Sequence, residues 1–303
     1  MAYLVAGAHD PLLVALSVAV ATLAAFSALD LAGRIRAAEG LTRWAWLATA
    51  ALAMGGGIWS MHFVAMLAFS MSLPLSYDLP LTALSLALAI LVTGAGFAVV
   101  GNSDAGAHPV RLGSGGLLMG IGIAVMHYTG MAAMRMPATL FYDPLLVALS
   151  VLIAIVASTA ALWLASRDVN GKARAAAAGC MGLAISAMHY TGMGAVAFSG
   201  HGPLGHDMAT SELPGHAALG QAGLALGIAS ATFLILSLAL LASYFDRQVA
   251  ASAEREAALL RESEERFRTL YRSTPLPLHV LDAEGCIFQV SDAWLDLLGL
   301  YPR

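Results

Sequence analysis

The sequence predicts an all-α integral membrane protein. It has seven transmembrane helices, built from three helical hairpins plus one further helix, then a cytoplasmic helix and a short α/β segment. Three observations carry this. Apolar residues fill 59% of the 303 positions and charged residues only 11%, against about 25% in soluble domains, and the mean hydropathy is +0.77. Apolar runs long enough to cross a bilayer, about 20 residues, recur seven times. An internal repeat of roughly 60 residues organises them.

The runs cover roughly 11–33, 44–70, 80–101, 113–136, 144–166, 174–198 and 219–245. The N-terminus lacks the basic stretch that opens a secretory signal, so the first run reads as a retained span. Arg34, Arg36 and Arg43 follow the first run, Arg111 precedes the fourth, and Arg167, Lys172 and Arg174 separate the fifth from the sixth. The alternate connections hold only Arg135. Basic connections stay in the cytoplasm. This predicts an inner-membrane protein with its N-terminus periplasmic and its C-terminus cytoplasmic. A net charge of -4 gives no reason to expect a nucleic-acid partner.

The repeat shows in "DPLLVALSV", which occurs at Asp10–Val18 and again at Asp143–Val151, with "YDLPLTALSL" at Tyr77–Leu86 as a relative. Each copy opens an inward crossing. Each outward crossing that follows carries a second string: "WSMHFVAMLAF" from Trp59, "AVMHYTGMAAM" from Ala124 and "SAMHYTGMGAV" from Ser186. His62, His127 and His189 therefore share one depth, placed about ten residues or roughly 15 Å inside the outer end. Polar side chains at such depth face a bundle interior or cavity and mark function.

Met66, Met131 and Met193 each follow their histidine by four residues and share its helix face. Met61, Met126 and Met188 precede it and point about 100° away. Imidazole suits copper, zinc, iron and nickel, and thioether selects soft ions, copper(I) above all. No carboxylate accompanies the strings, which argues against calcium, magnesium and manganese. Copper ranks ahead of zinc, and ahead of haem, for which no Cys-x-x-Cys-His is present. Tyr128 and Tyr190 could donate hydrogen bonds near the metal, whereas Phe63 in the first copy cannot.

The paired "MHYTGM" strings and "MHFVAM", in a seven-span repeat, resemble the MHYT domain of bacterial membrane signalling proteins, over about residues 8–245. The resemblance implies a sensor of a diatomic gas (oxygen, carbon monoxide or nitric oxide) or of a redox cue. It also implies a bound metal, copper, with ligand roles for Met61, His62, Met66, Met126, His127, Met131, Met188, His189 and Met193.

Among the other polar features, "SGHGPLGHDMATSELPGH" at Ser199–His216 reads as a solvated loop, though His201, His206, Met208 and His216 could collect metal. Arg135 is expected to pair with Asp143 or Asp78 at the outer rim. Cys180 and Cys286 have no partner at metal or redox spacing and are expected to pack as small hydrophobes.

Past Tyr244 the chain turns charged, and residues 246–264 read as a signalling helix. Leu260, Ser263, Phe267 and Leu270 recur at heptad-like spacing, which predicts a homodimer through residues 246–270. Residues 265–303 resemble the opening of a PAS domain: strands at Leu278–Leu281 and Ile287–Val290 around "DAEG", then a helix from Ser291. The remaining sheet of such a domain is missing, so this part reads as incomplete. MHYT relatives carry cyclic-dinucleotide or histidine kinase output domains. None of their catalytic motifs appears, so the chain itself is not expected to be an enzyme. Two other classes compete with a sensor. A copper or other metal-ion permease would want soft ligands at several depths, and Met54, Met119 and Met181 lie deeper on the same helices. A membrane oxidase would want carboxylates among the histidines, and Asp30 lies far from them.

Overall fold

The computed structural model describes residues 2–4, 8–70, 75–101, 109–167, 170–201 and 218–300. They fall into two units, Met1–Ala239 and Leu240–Arg303. Among the described residues seven long helices follow one another: α1 (Pro11–Ala37), α2 (Gly40–Ala68), α3 (Leu79–Gly101), α4 (Pro109–Ala132), α5 (Pro144–Ala165), α6 (Gly171–Gly194) and α7 (Gln221–Ser273). All but α6 are long and apolar enough to cross a membrane, which makes this a multi-pass membrane protein. The sixth helix matches α4 in length at 24 residues. Its alanine- and glycine-rich first half, with Lys172 and Arg174, keeps it less apolar.

In the first unit α1 packs on α2 and α6, α3 on α2 and α4, and α5 on α4 and α6, so six helices close a ring. Polar side chains point inward: Ser17, Ser85, Thr93, Ser150 and Ser158 are buried. Leu12, Leu91, Leu145 and Val156 point outward and are exposed, as a lipid-facing surface requires. The second helix is the most enclosed, and its three consecutive glycines explain why. A side chain on Gly55 would meet Ala89 of α3, one on Gly56 would meet Ile235 of α7, and one on Gly57 would meet Ala24 of α1.

The sequence repeat has a structural counterpart at one end of the ring. Asp10 and Asp143 cap α1 and α5. Each carboxylate accepts from the N–H groups of the second and third residues that follow it, at 2.8 and 3.3 Å, with proline at the first helical position. The backbone N–H of Asp10 donates to Ala68, that of Asp78 to Ala133 and that of Asp143 to Ala195, at 2.8–2.9 Å. Each hairpin is thereby closed between the start of its odd helix and the end of its even one.

Short antiparallel strands lie around these closures: β1 (Ala2–Leu4), β2 (Ala8–His9), β3 (Phe69–Ser70), β4 (Ser76–Asp78), β5 (Met134–Arg135), β6 (Ala138–Tyr142), β7 (Val196–His201) and β8 (Ala218–Gly220). They pair in the orders β1-β7-β6, β5-β4-β8 and β2-β3. These strands correct the expected depth of the histidines. The even helices end at Ala68, Ala132 and Gly194, five or six residues past each histidine rather than about ten. At 1.5 Å per residue that depth is about 8–9 Å. The residues beyond are still apolar, so hydropathy runs on into the strands without marking the helix ends.

At this end Arg135 pairs with Asp78 at 2.6 Å, and Asp143 is occupied as a helix cap. At the opposite, basic end, Asp30 binds both Arg34 and Arg174, and Arg36 donates to the carbonyls of Ala165 and Arg167. Cys180 and Cys286 are both exposed, against the expectation of packing. Cys180 precedes Met181, which takes the inward face of α6, and so is left on the outer one.

The second unit contains the end of α7, then β9 (His279–Leu281), β10 (Ile287–Val290) and α8 (Asp292–Leu298). β9 and β10 pair antiparallel around the expected turn. There the Asp282 carboxylate accepts from the N–H groups of Glu284 and Cys286, and Gly285 takes a φ of 84°. The Ser291 hydroxyl donates to Leu276 and accepts from the N–H groups of Leu278 and Trp294, tying the hairpin to α8. Leu260, Phe267 and Leu270 on α7 are exposed.

Candidate metal centre

Three helices of the ring, α2, α4 and α6, each bring one histidine to the interior. His62, His127 and His189 are at most 1% exposed. Their rings stand edge-on to one another with centroids 4.9–5.1 Å apart. The Nδ1 of His62 lies 3.0 Å from that of His189 and 3.1 Å from that of His127. Among the described residues they form the one close cluster of His, Cys, Asp or Glu side chains able to hold a metal ion.

The donor set fits a transition metal. Three nitrogens each at 2.0–2.1 Å from one ion stand about 3.5 Å apart, half an ångström beyond the separations seen here. Each Nδ1 has one proton to give or one lone pair to offer. His62 therefore meets two facing nitrogens with a single proton or lone pair. An ion at their centre would replace these contested contacts by three bonds. The outward Nε2 atoms of all three rings are buried without hydrogen-bond partners. The inward Nδ1 atoms are the ones that face one another.

The repeated glycines explain how the rings fit. A Cβ on Gly130 would collide with Nε2 of His62, and one on Gly192 would collide with Nε2 of His127. Seven residues before each histidine stand Gly55, Gly120 and Gly182, which meet Ala89 of α3, Ile155 of α5 and Thr22 of α1. These approaches draw the histidine helices against the outer helices. Neither role was read from the sequence. The spacing of glycine seven residues before histidine in all three copies was the available signal.

The tyrosines do not serve the metal side. Tyr128 OH lies 2.7 Å from Ser150 Oγ on α5, and Tyr190 OH lies 3.0 Å from Ser17 Oγ on α1. Both serines spend their proton on a carbonyl, Val147 or Val14, so the phenols donate. In the first copy, where Phe63 has no hydroxyl, Trp59 Nε1 donates to Ser85 Oγ at 3.0 Å, and Ser85 donates to Thr82. Three different hairpins are sewn to their neighbours by one rule: a serine seven residues after the Asp, met by an aromatic donor. The aromatic following each histidine also packs on the residue preceding that Asp: Phe63 on Tyr77, Tyr128 on Tyr142 and Tyr190 on His9, with centroids 5.7–5.9 Å apart.

Met61, Met66, Met126, Met131, Met188 and Met193 are all buried in the core that holds the histidines. His206, Met208 and His216 of the outer loop lie outside the described residues, as does the His201 side chain.

The family described as a bacterial signalling protein N-terminal repeat, MHYT, matches residues 55–113, 120–178 and 182–252. The bifunctional diguanylate cyclase/cyclic di-GMP phosphodiesterase MucR of Pseudomonas aeruginosa is 47% identical over 250 residues, 80% of this chain and 35% of that protein. The cyclic di-GMP phosphodiesterase NbdA of the same organism is 43% identical over 199 residues, 63% of this chain and 25% of its own. The signaling protein YkoW of Bacillus subtilis is 31% identical over 303 residues, 97% of this chain and 36% of its own. The chain thus spans a quarter to about a third of these relatives. No solved structure matches it. With three matched repeats over most of its length, the chain belongs to the MHYT family of bacterial signalling proteins.

Proposed function

We propose that the chain is the membrane sensor of a signalling protein. It holds one transition metal, copper ahead of zinc or iron, on Nδ1 of His62, His127 and His189; any further ligand is drawn from the thioethers of Met66, Met131 and Met193 first and of Met61, Met126 and Met188 second, not from all six at once. The observation that carries this is the convergence of three buried Nδ1 atoms from three repeats. A bound copper ion would supply an open soft site for a diatomic gas, or a one-electron change. The protein's part is to seat the rings on Gly130 and Gly192, keep water out with the buried core, and join the hairpins through the serine contacts, so that a shift of one ring reaches the outer helices.

In this reading all seven helices cross the inner membrane, the strand-bearing end is periplasmic, and the basic end and α7's charged half are cytoplasmic. The exposed Leu260, Phe267 and Leu270 support pairing with a second copy. The hairpin and α8 begin a PAS relay. The cyclic di-GMP activities of MucR and NbdA support an output acting on the same messenger, and favour signalling over a permease. Elemental analysis of gently solubilised protein tests the proposal: one copper per protomer is expected, and no transition metal even after copper loading would refute it.

A further inference from the structure

Below the histidines the ring interior is not filled. A cavity of about 20 Å³ lies between α2, α4, α5 and α6. Its lining follows the repeat. Ile58, Ile123 and Ile185 each stand four residues before a histidine, and Met54, Met119 and Met181 eight before. At 1.5 Å per residue these layers lie about 6 and about 12 Å below the rings. Met188, adjacent to His189, also lines the cavity, which therefore reaches up to the histidine layer. The fourth wall comes from α5, where small side chains such as Ala157 leave the space open.

The size suits one small guest of a few atoms. Water needs two to four polar partners to occupy such a place. Among the described lining residues only Ser158 brings a polar side chain. An apolar guest loses little on entry and gains contact with polarisable, adaptable thioethers. We infer that this cavity is a dry docking site for one small apolar molecule of dioxygen's class, placed beneath the three-histidine centre. The guest would reach the rings from the hydrocarbon side without crossing a polar layer. Its use rests on the sensing role proposed above, but its existence does not.

The test is xenon-pressurised crystals of the full chain, read by anomalous scattering. Xenon is larger than dioxygen, but methionine side chains yield to it. A xenon peak between Met54, Met119 and Met181 is expected in the wild type. It should disappear in Ala157→Leu and persist in both His127→Ala and Ser158→Ala. No peak in the wild type, ordered water in its place, or loss of xenon in Ser158→Ala would overturn the inference, whether or not Ala157→Leu folds. Metal analysis of the same preparations separates the two claims. Xenon without metal leaves the docking site standing and removes the sensing role, and metal without xenon does the reverse.

Discussion

The Nε2 nitrogen of His62 lies so close to Gly130 that no side chain fits between them. Gly130→Ala must therefore push the imidazole, and with it Nδ1, out of the shared cluster. Gly192→Ala should do the same to His127. Groups that orient a metal-bound histidine are typically worth about 10–100-fold in affinity, and we expect a loss of that order from either substitution. Titration with a competing chelator would measure it. Wild-type affinity in a folded Gly130→Ala protein would show that the ring has another resting place.

The hydroxyls of Tyr128 and Tyr190 point to Ser150 and Ser17, not to the histidines. Tyr128→Phe and Tyr190→Phe should each lower stability by about 1 kcal/mol, the worth of one such hydrogen bond, and leave metal content unchanged. Thermal denaturation and metal analysis of the same samples check both halves. Metal loss without destabilisation would place the phenols in the ligand shell after all.

The contrast between these residues shows what the sequence could reveal. The histidines were legible because three copies at matched depth mean three polar side chains that lipid would not tolerate. The starts of the odd-numbered helices were legible in the repeated DPLLVALSV string. The direction of Tyr128 was not, because a position one residue past a histidine is equally near two neighbouring helices, and only packing decides between them. The seat offered by Gly130 depends on a histidine 68 positions away in the chain, which no local pattern records. The ends of α2, α4 and α6 were hidden because Phe69, Met134 and Val196 are as apolar as the helices they follow. Cys180 was misjudged for a related reason: in a membrane an apolar residue is at home on the outside too.

Arg135 and Asp78 bridge the strand-bearing end at 2.6 Å, with the carboxylate side chain 5% exposed and the guanidinium 46%. Arg135→Ala leaves a buried carboxylate with less compensation, whereas solvent already screens the arginine. We expect a loss of about 1–2 kcal/mol, above that of an exposed pair and below that of a buried one. Arg135→Lys should recover part of it. Denaturation of the three proteins in one detergent would show the order.

Reporter fusions test the orientation that the basic connections imply. A fusion at position 2 should report the periplasm, and fusions in the 102–110 connection and after Arg268 should report the cytoplasm. A cytoplasmic signal at position 2 would put the histidines near the opposite face and remove the periplasmic placement of the site.

The central claim is that three repeats make one site. Metal content and affinity should be measured for His62→Ala, His127→Ala and His189→Ala beside the wild type, with a folding control. If the three Nδ1 atoms share an ion, each single substitution should cost most of the affinity, because water is a poor replacement ligand in a core where the rings are at most 1% exposed. Three independent sites would instead lose about one third of the bound metal with each substitution, a partition that follows from equal ligands in separate places. Unchanged metal in all three folded variants would contradict the account and leave the histidines as packing elements.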